Sequence, residues 1–173
     1  ATAEQFRDPK NSPNDQLLWS GNPLNVAEAP LLVDMNPGLN DAWFYPVTNG
    51  QGFFITVFPD IQKVSLSWFT YDTQLPPEDA VANLGDSGHR WFNALGSFTG
   101  NTAVMTIKIT SGGIFDTTTE ISRFEDGTII LTFTDCNSGS VEYDIPSIGA
   151  SGTVPIRRIA EDNLAWCESF INP

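Results

Sequence analysis

Three Trp-Phe dipeptides recur at nearly even spacing along the chain, at Trp43-Phe44, Trp68-Phe69 and Trp91-Phe92. Each lies in a segment where apolar and polar residues alternate and where β-branched residues are common. An alternation with a period of two is typical of β-strands that place one face against a hydrophobic core. The pattern therefore predicts an antiparallel β-structure with a large aromatic interior.

From residue 41 onward, short strand-like runs are separated by turn residues. Val64, Leu66 and Trp68 form one apolar face of a strand, and the run 102–110 alternates in the same way. The clearest turn signal is Asp126-Gly127, which predicts a hairpin between strands at 118–124 and 128–134. Eight or nine such strands predict an all-β antiparallel meander, and sequential hairpins favour an up-and-down barrel over a curled sandwich.

Residues 1–40 differ from the rest and predict an extended N-terminal arm, followed by a barrel-like domain at 41–173. The arm is rich in Asn, Pro and Asp, and its prolines exclude long helices and central strands. Leu17-Leu18-Trp19 is one of its short apolar runs. The arm could dock on its own barrel or on the sheet edge of a neighbouring copy, and the sequence leaves both open.

The charge balance excludes some partners. The chain has 8 Lys and Arg residues against 21 Asp and Glu residues, a net charge of -13. Such a surface repels nucleic acid and anionic membranes, and the sequence has no apolar run of about 18 residues that could insert into a bilayer. No cofactor is predicted, although structural calcium stays open because two groups supply hard oxygens without an EF-hand loop: Asn36, Asn40 and Asp41, and Glu78, Asp79 and Asp86.

Cys136 and Cys167 are the only cysteines. An even, sparse count without metal-binding spacing suits a single disulfide in an exported protein, and the low lysine content agrees with that compartment. The alternative is a pair of buried free thiols. A disulfide would tie the C-terminal segment, for which 160–170 predicts one or two helical turns, to the end of a strand.

The chain contains a tryptophan strand, a GQGF turn, a WFTYD strand and a strand ending in FTDC, at residues 41–46, 50–55, 68–72 and 133–136. Together these motifs, within 41–167, resemble a tryptophan-rich β-meander module found in exported proteins of Gram-negative bacteria. The resemblance implies a secreted or cell-surface protein and a repeat-like β architecture, and no assigned activity. The opening strands are also loosely similar to avidin-type barrels.

Catalytic motifs are weak. His89 is the only histidine, and a Ser/His/Asp set could be assembled from Ser87 or Ser67 with His89 and Asp86. Adjacent residues of one loop rarely adopt triad geometry, and no nucleophile-elbow sequence accompanies them. A glycoside hydrolase needs two facing carboxylates, and among 21 acidic residues such pairs arise by chance. Asp72 is one candidate, near one rim of the predicted barrel. We therefore predict that the protein is not an enzyme, and a carboxylate-based hydrolase is the least favoured alternative.

Aromatic side chains carry the binding prediction. Rings on both faces of the strands cannot all fill the interior, and monomers seldom expose contiguous aromatic patches. The predicted binding stripe consists of Trp43, Tyr45, Phe69, Tyr71 and Phe92. The sequence thus predicts an extracellular structural or recognition module that assembles with itself or another exported protein through its arm. The alternative is a barrel that binds a glycan or a small apolar ligand.

Overall fold

The computed structural model describes residues 33–171. Eight antiparallel strands form one closed barrel in chain order, which confirms the predicted all-β meander. The strands are β1 (Asp41–Phe44), β2 (Gly52–Phe58), β3 (Lys63–Tyr71), β4 (His89–Thr99), β5 (Thr102–Ser111), β6 (Ser122–Phe133), β7 (Ser138–Ile145) and β8 (Ala150–Arg158). The ladder between β8 and β1 closes the barrel with two residue pairs, Trp43 with Arg158 and Phe44 with Arg157.

The barrel interior is filled by the alternate residues that the sequence pattern indicates. Val64, Leu66 and Trp68 of β3 are all buried, and Ser65, Ser67 and Phe69 face outward. On β5, Ala103, Met105 and Ile107 point inward. An eight-stranded barrel is just wide enough for side chains to fill its interior. Here the interior contains aromatic rings such as those of Trp43 and Phe133, whose centroids are 4.9 Å apart.

One end of the barrel, which we call the base, is covered by the segments that flank the strands. Val33 and Leu39 are fully buried, and a 3-10 turn spans Pro37–Leu39. The short helix α1 (Leu164–Glu168) lies on the same end, where the disulfide between Cys136 and Cys167 attaches it to the β6–β7 turn. The predicted disulfide is therefore confirmed.

The predicted arm is divided by the structure. Its residues 1–32 lie outside the described residues, so the prediction for them stays a prediction. Residues 33–40 belong to the barrel, because Val33, Met35 and Leu39 are members of its hydrophobic core. The compact unit that contains the barrel begins at Leu32.

The hairpin predicted at Asp126-Gly127 is wrong. β6 continues through this dipeptide, with a shift in its register against β5 between Thr106 and Lys108. The buried Asp126 carboxylate accepts hydrogen bonds from the backbone N–H and the hydroxyl of Ser147, and Gly127 has a positive φ of 85°. The Asp-Gly pair therefore forms a β-bulge within one long strand. This dipeptide is found more often in a hairpin turn, which is why the sequence predicted one.

Arg158 connects three parts of the base. Its guanidinium is buried and donates hydrogen bonds to the carbonyl oxygens of Cys136 and Gly38 and to the Asp41 carboxylate. It also lies 4.7 Å from the ring centroid of Trp43, within the range of a cation–π contact. A single side chain at the end of β8 thus joins β1, the turn before β1 and the disulfide-bearing β6–β7 turn.

Within residues 33–171, no helix is long and apolar enough to cross a membrane.

Candidate functional site

The end of the barrel opposite the base, which we call the mouth, has an aromatic interior. Trp68 of β3 lies at its centre, and its ring centroid is 5.1 Å from that of Phe53, 5.7 Å from Phe92 and 5.2 Å from Tyr143. These tilted and edge-on contacts are the favoured geometries of aromatic pairs. The cluster fills the upper barrel and forms a rigid apolar floor just below the mouth.

A pocket of about 220 Å³ opens above this floor. Its wall includes Tyr45, Thr48 and Gln51 from the segment between β1 and β2, and Val154 of the neighbouring strand β8. Phe53, Trp68 and Tyr143 form the apolar part of the lining. An apolar concave surface with a few polar groups at its rim is typical of small ligand sites. We call this the mouth pocket.

Large apolar side chains cover part of the barrel exterior. We define the outer apolar face as the exposed side chains of β2 to β5, which are Phe54, Phe58, Phe69, Tyr71, Trp91, Leu95 and Val104. The exposed fraction is 58% for Phe54, 46% for Phe69 and 50% for Trp91. Contiguous apolar patches of this kind usually mark an interaction surface.

The strand register places the aromatic members of this face side by side. Phe69 of β3 is directly opposite Trp91 of β4, and the rings of Phe54 and Phe69 meet edge to face at 5.6 Å. Tyr71 stacks at 5.6 Å against His89, its partner on β4. The rings of Phe54, Phe69 and Trp91 therefore form a row across three neighbouring strands.

A second pocket of about 230 Å³ lies where the outer apolar face reaches the mouth. We call it the rim pocket. Phe69 and Trp91 supply its apolar lining, and Thr70, His89 and Arg90 supply polar atoms. The Arg90 guanidinium pairs with Asp72 and donates to the carbonyl oxygens of Ser87 and His89, which holds it in place.

The five residues of the predicted binding stripe do not form one surface. Trp43 is fully buried in the core, and Phe92 packs inside against Trp68. Tyr45 lines the mouth pocket, whereas Phe69 and Tyr71 belong to the outer apolar face.

The stripe also omits two exposed rings, Phe54 and Trp91, that complete the outer row. The alternation of inward and outward residues along β4 could have identified Trp91. With Phe92 and Ala94 facing inward on that strand, Trp91 must face outward.

The residues considered for catalysis are arranged differently from a triad. The backbone N–H of Asp86 donates to Nδ1 of His89 at 3.2 Å, whereas in a triad a carboxylate accepts a hydrogen bond from that nitrogen. The Asp86 carboxylate instead accepts from the Gly88 N–H, and Asp72 is paired with Arg90. These contacts order the β3–β4 loop.

The first calcium group is also committed to internal contacts. The Asn36 side-chain oxygen accepts from Gly38 N–H, that of Asn40 accepts from Val57 N–H, and Asp41 pairs with Arg158. In the described part of the chain, no three His, Cys, Asp or Glu side chains cluster so that they could hold a metal ion.

Comparisons of the chain with models of protein families, with curated proteins and with solved structures find no match in any of the three.

Proposed function

We propose that the chain is a non-catalytic recognition module of an exported protein and that it assembles with further copies of itself. The observation that carries the proposal is the outer apolar face, whose row of exposed rings would be costly to leave in water. Burying this face against a partner would remove its apolar surface from water, which is favourable for the same reason that burial of the barrel core is favourable. The disulfide and the resemblance to exported bacterial modules support the compartment.

The N-terminal residues supply a connecting segment in this proposal. The described chain starts at the base, where the backbone N–H of Met35 donates to the Gly100 carbonyl in the β4–β5 turn. An extended segment of 32 residues can span about 100 Å, which is enough to reach a neighbouring barrel. Each copy would then hold its neighbour through two contacts, the outer apolar face and the N-terminal segment.

We expect the native chain to have a solution mass that is a multiple of its 18.9 kDa. Replacing Phe69 and Trp91 together with serine is expected to give a monomer, because the change removes two adjacent rings from the outer apolar face. Both side chains are about half buried, so the double change should lower the free energy of unfolding by about 2–3 kcal/mol, which leaves an ordinary domain folded. Light scattering over a range of concentrations measures the mass.

The matched control is the double change Ile148→Ser and Ile159→Ser, which removes two exposed apolar side chains that lie outside this face. It should leave the mass unchanged. A chain that begins at Leu32 tests the contribution of the N-terminal segment, and it should associate more weakly than the full chain. A native chain that is monomeric at all concentrations would refute the proposal.

A second candidate function is favoured by the rim pocket. Its Trp91 and Phe69 rings lie beside hydroxyl, imidazole and guanidinium groups, a combination that can stack on a sugar ring and hydrogen-bond to its hydroxyls. In this alternative the barrel recognises a saccharide.

If a saccharide binds, titration with neutral and acidic oligosaccharides should produce a saturable change in tryptophan fluorescence. Trp91→Ala should abolish that change, whereas Trp166→Ala should retain it, because Trp166 is similarly exposed but lies on α1 at the base. Absence of a saturable signal with every oligosaccharide would reject this candidate and leave self-assembly unaffected.

A further inference from the structure

The barrel is closed unevenly around its circumference. β8 pairs with β7 over eight residue pairs, from Ser138 with Arg157 to Ile145 with Ala150. On its other side β8 pairs with β1 over only two residue pairs, because β1 ends at Phe44 and the chain turns at Pro46. Among the strands that the structure describes, the upper half of β8, residues 150–156, therefore has a neighbour on one side only.

The free side of this half-strand presents backbone hydrogen-bonding groups. The N–H of Ile159 donates across the seam to Ala42, and the N–H of Arg158 donates the other way, to Asn137. Since successive residues of a strand point their N–H and C=O groups to opposite sides, those of Ser151 and Thr153 face the same way as Ile159, as does the Pro155 carbonyl.

Within residues 33–171, the N–H and C=O groups of Ser151 and Thr153 have no backbone partner on that side. Both residues are exposed. Such an edge is a template for an additional strand.

The mouth pocket lies beside this edge. Its wall is formed by the β1–β2 turn, which includes Tyr45 and Thr48, and by Val154 of β8. A strand placed along β8, in line with β1 beyond Phe44, would direct every second side chain over Trp68 and Phe53. The edge therefore supplies backbone hydrogen bonds, and the pocket supplies a place for an apolar side chain.

We propose that this edge accepts residues 16–20, from the run 14–22 of a neighbouring copy, by β-strand addition. The inference rests on the proposed self-assembly and names its acceptor site. Among residues 1–32, the run 14–22 is the longest without proline, and proline cannot donate to a ladder. It contains Leu17, Leu18 and Trp19, so Leu17 and Trp19 can point into the mouth pocket from one face of a strand.

The pairing has a defined register. With Leu17 and Trp19 inward, the N–H and C=O groups of Leu18 and Ser20 face β8. An antiparallel strand then pairs Leu18 with Thr153 and Ser20 with Ser151, which makes four backbone hydrogen bonds. Gln16 is placed opposite Pro155, whose carbonyl can accept one more. Pro155 limits the site at its lower end because it has no N–H to donate.

The first test compares Thr153→Pro with Thr153→Ala in the full chain. Proline removes the N–H that faces the seam and leaves the β7 ladder intact, as Pro155 already does at an equivalent position. We expect the proline variant to associate about tenfold more weakly or worse by light scattering, and the alanine variant to associate as the native chain does. Equal association of the proline and alanine variants would overturn the β8 edge as the acceptor.

The second test does not depend on how a variant folds. A synthetic peptide of residues 14–22 is added in excess to the native full chain, alongside the same peptide N-methylated at Leu18, which lacks one donor to β8. We expect the first peptide to weaken association to the level of a chain that begins at Leu32, and the methylated peptide to leave the solution mass unchanged. Equal competition by both peptides, or by neither, would reject backbone pairing at this edge.

These outcomes separate the two proposals. If the native chain assembles, the Phe69→Ser and Trp91→Ser variant does not, and Thr153→Pro does, then self-assembly stands and the β8 edge is rejected. If the native chain does not assemble, both proposals fail.

Discussion

Replacing Arg158 with methionine is expected to lower the free energy of unfolding by about 3–5 kcal/mol, a large part of the stability of an ordinary domain. The change leaves the Asp41 carboxylate and the carbonyl oxygens of Gly38 and Cys136 without the donor that satisfies them. It also leaves a negative charge at the base without its partner, since the Arg158 side chain is fully buried and Asp41 largely so. Urea denaturation followed by tryptophan fluorescence measures the effect.

The neighbouring arginine is a matched control. Arg157 also lies on β8 and also contacts an aromatic ring, that of Phe44, but it is exposed. Arg157→Met should cost less than about 1 kcal/mol, because exposed cation–π contacts contribute little. Adding Asp41→Asn to Arg158→Met should restore part of the loss by removing the unpaired charge. Equal effects of the two arginine changes would contradict the role assigned to Arg158.

Removing the disulfide is expected to have the next largest effect. The change of both Cys136 and Cys167 to serine should lower the free energy of unfolding by about 3–4 kcal/mol, because the bond closes a loop with a sequence separation of 31 residues and restricts the unfolded chain. The measurement is again urea denaturation, with and without a reducing agent.

Reducing agent provides the internal control for this prediction. It should destabilise the native protein by about as much as the double serine change does, and it should have no effect on the serine variant. Because α1 reaches the base partly through Cys167, the native protein should also show increased proteolysis near residues 160–171 once it is reduced. A reduced protein as stable as the oxidised one would show that packing at the base, and not the bond, retains the C-terminal segment.

Much of the barrel could be predicted from the sequence, because alternating apolar and polar residues along a strand indicate which side chains are buried. Val64, Leu66 and Trp68 are inside as their spacing indicates, and the chain order of hairpins is the order of strands around the barrel. Asp126-Gly127 was misleading because the dipeptide favours a turn and a bulge for the same reason, the positive φ available to glycine. The difference lies in tertiary contacts, which include the hydrogen bond from Ser147 N–H to Asp126 and the pairing of β6 with β5 on both sides of the bulge.

The candidate surfaces were harder to predict because they depend on register between strands. The row formed by Phe54, Phe69 and Trp91 exists only because β2, β3 and β4 pair with these residues adjacent. The binding stripe predicted from sequence spacing therefore combined two residues of the interior, Trp43 and Phe92, with two of the exterior, Phe69 and Tyr71. The short ladder between β1 and β8 depends on where β1 stops relative to a strand more than a hundred residues later in the chain.

The Cys136–Cys167 bond also determines how the molecule would transmit mechanical load. Tension applied at the C-terminal end reaches Cys167 and passes through the covalent bond to Cys136, at the end of β6. The residues between them, which include all of β7 and β8, lie outside this shortest covalent path and share the force only through their hydrogen bonds and packing. A pull on the C-terminal side is therefore resisted by a covalent bond to the β6–β7 turn as well as by the two-pair ladder between β8 and β1.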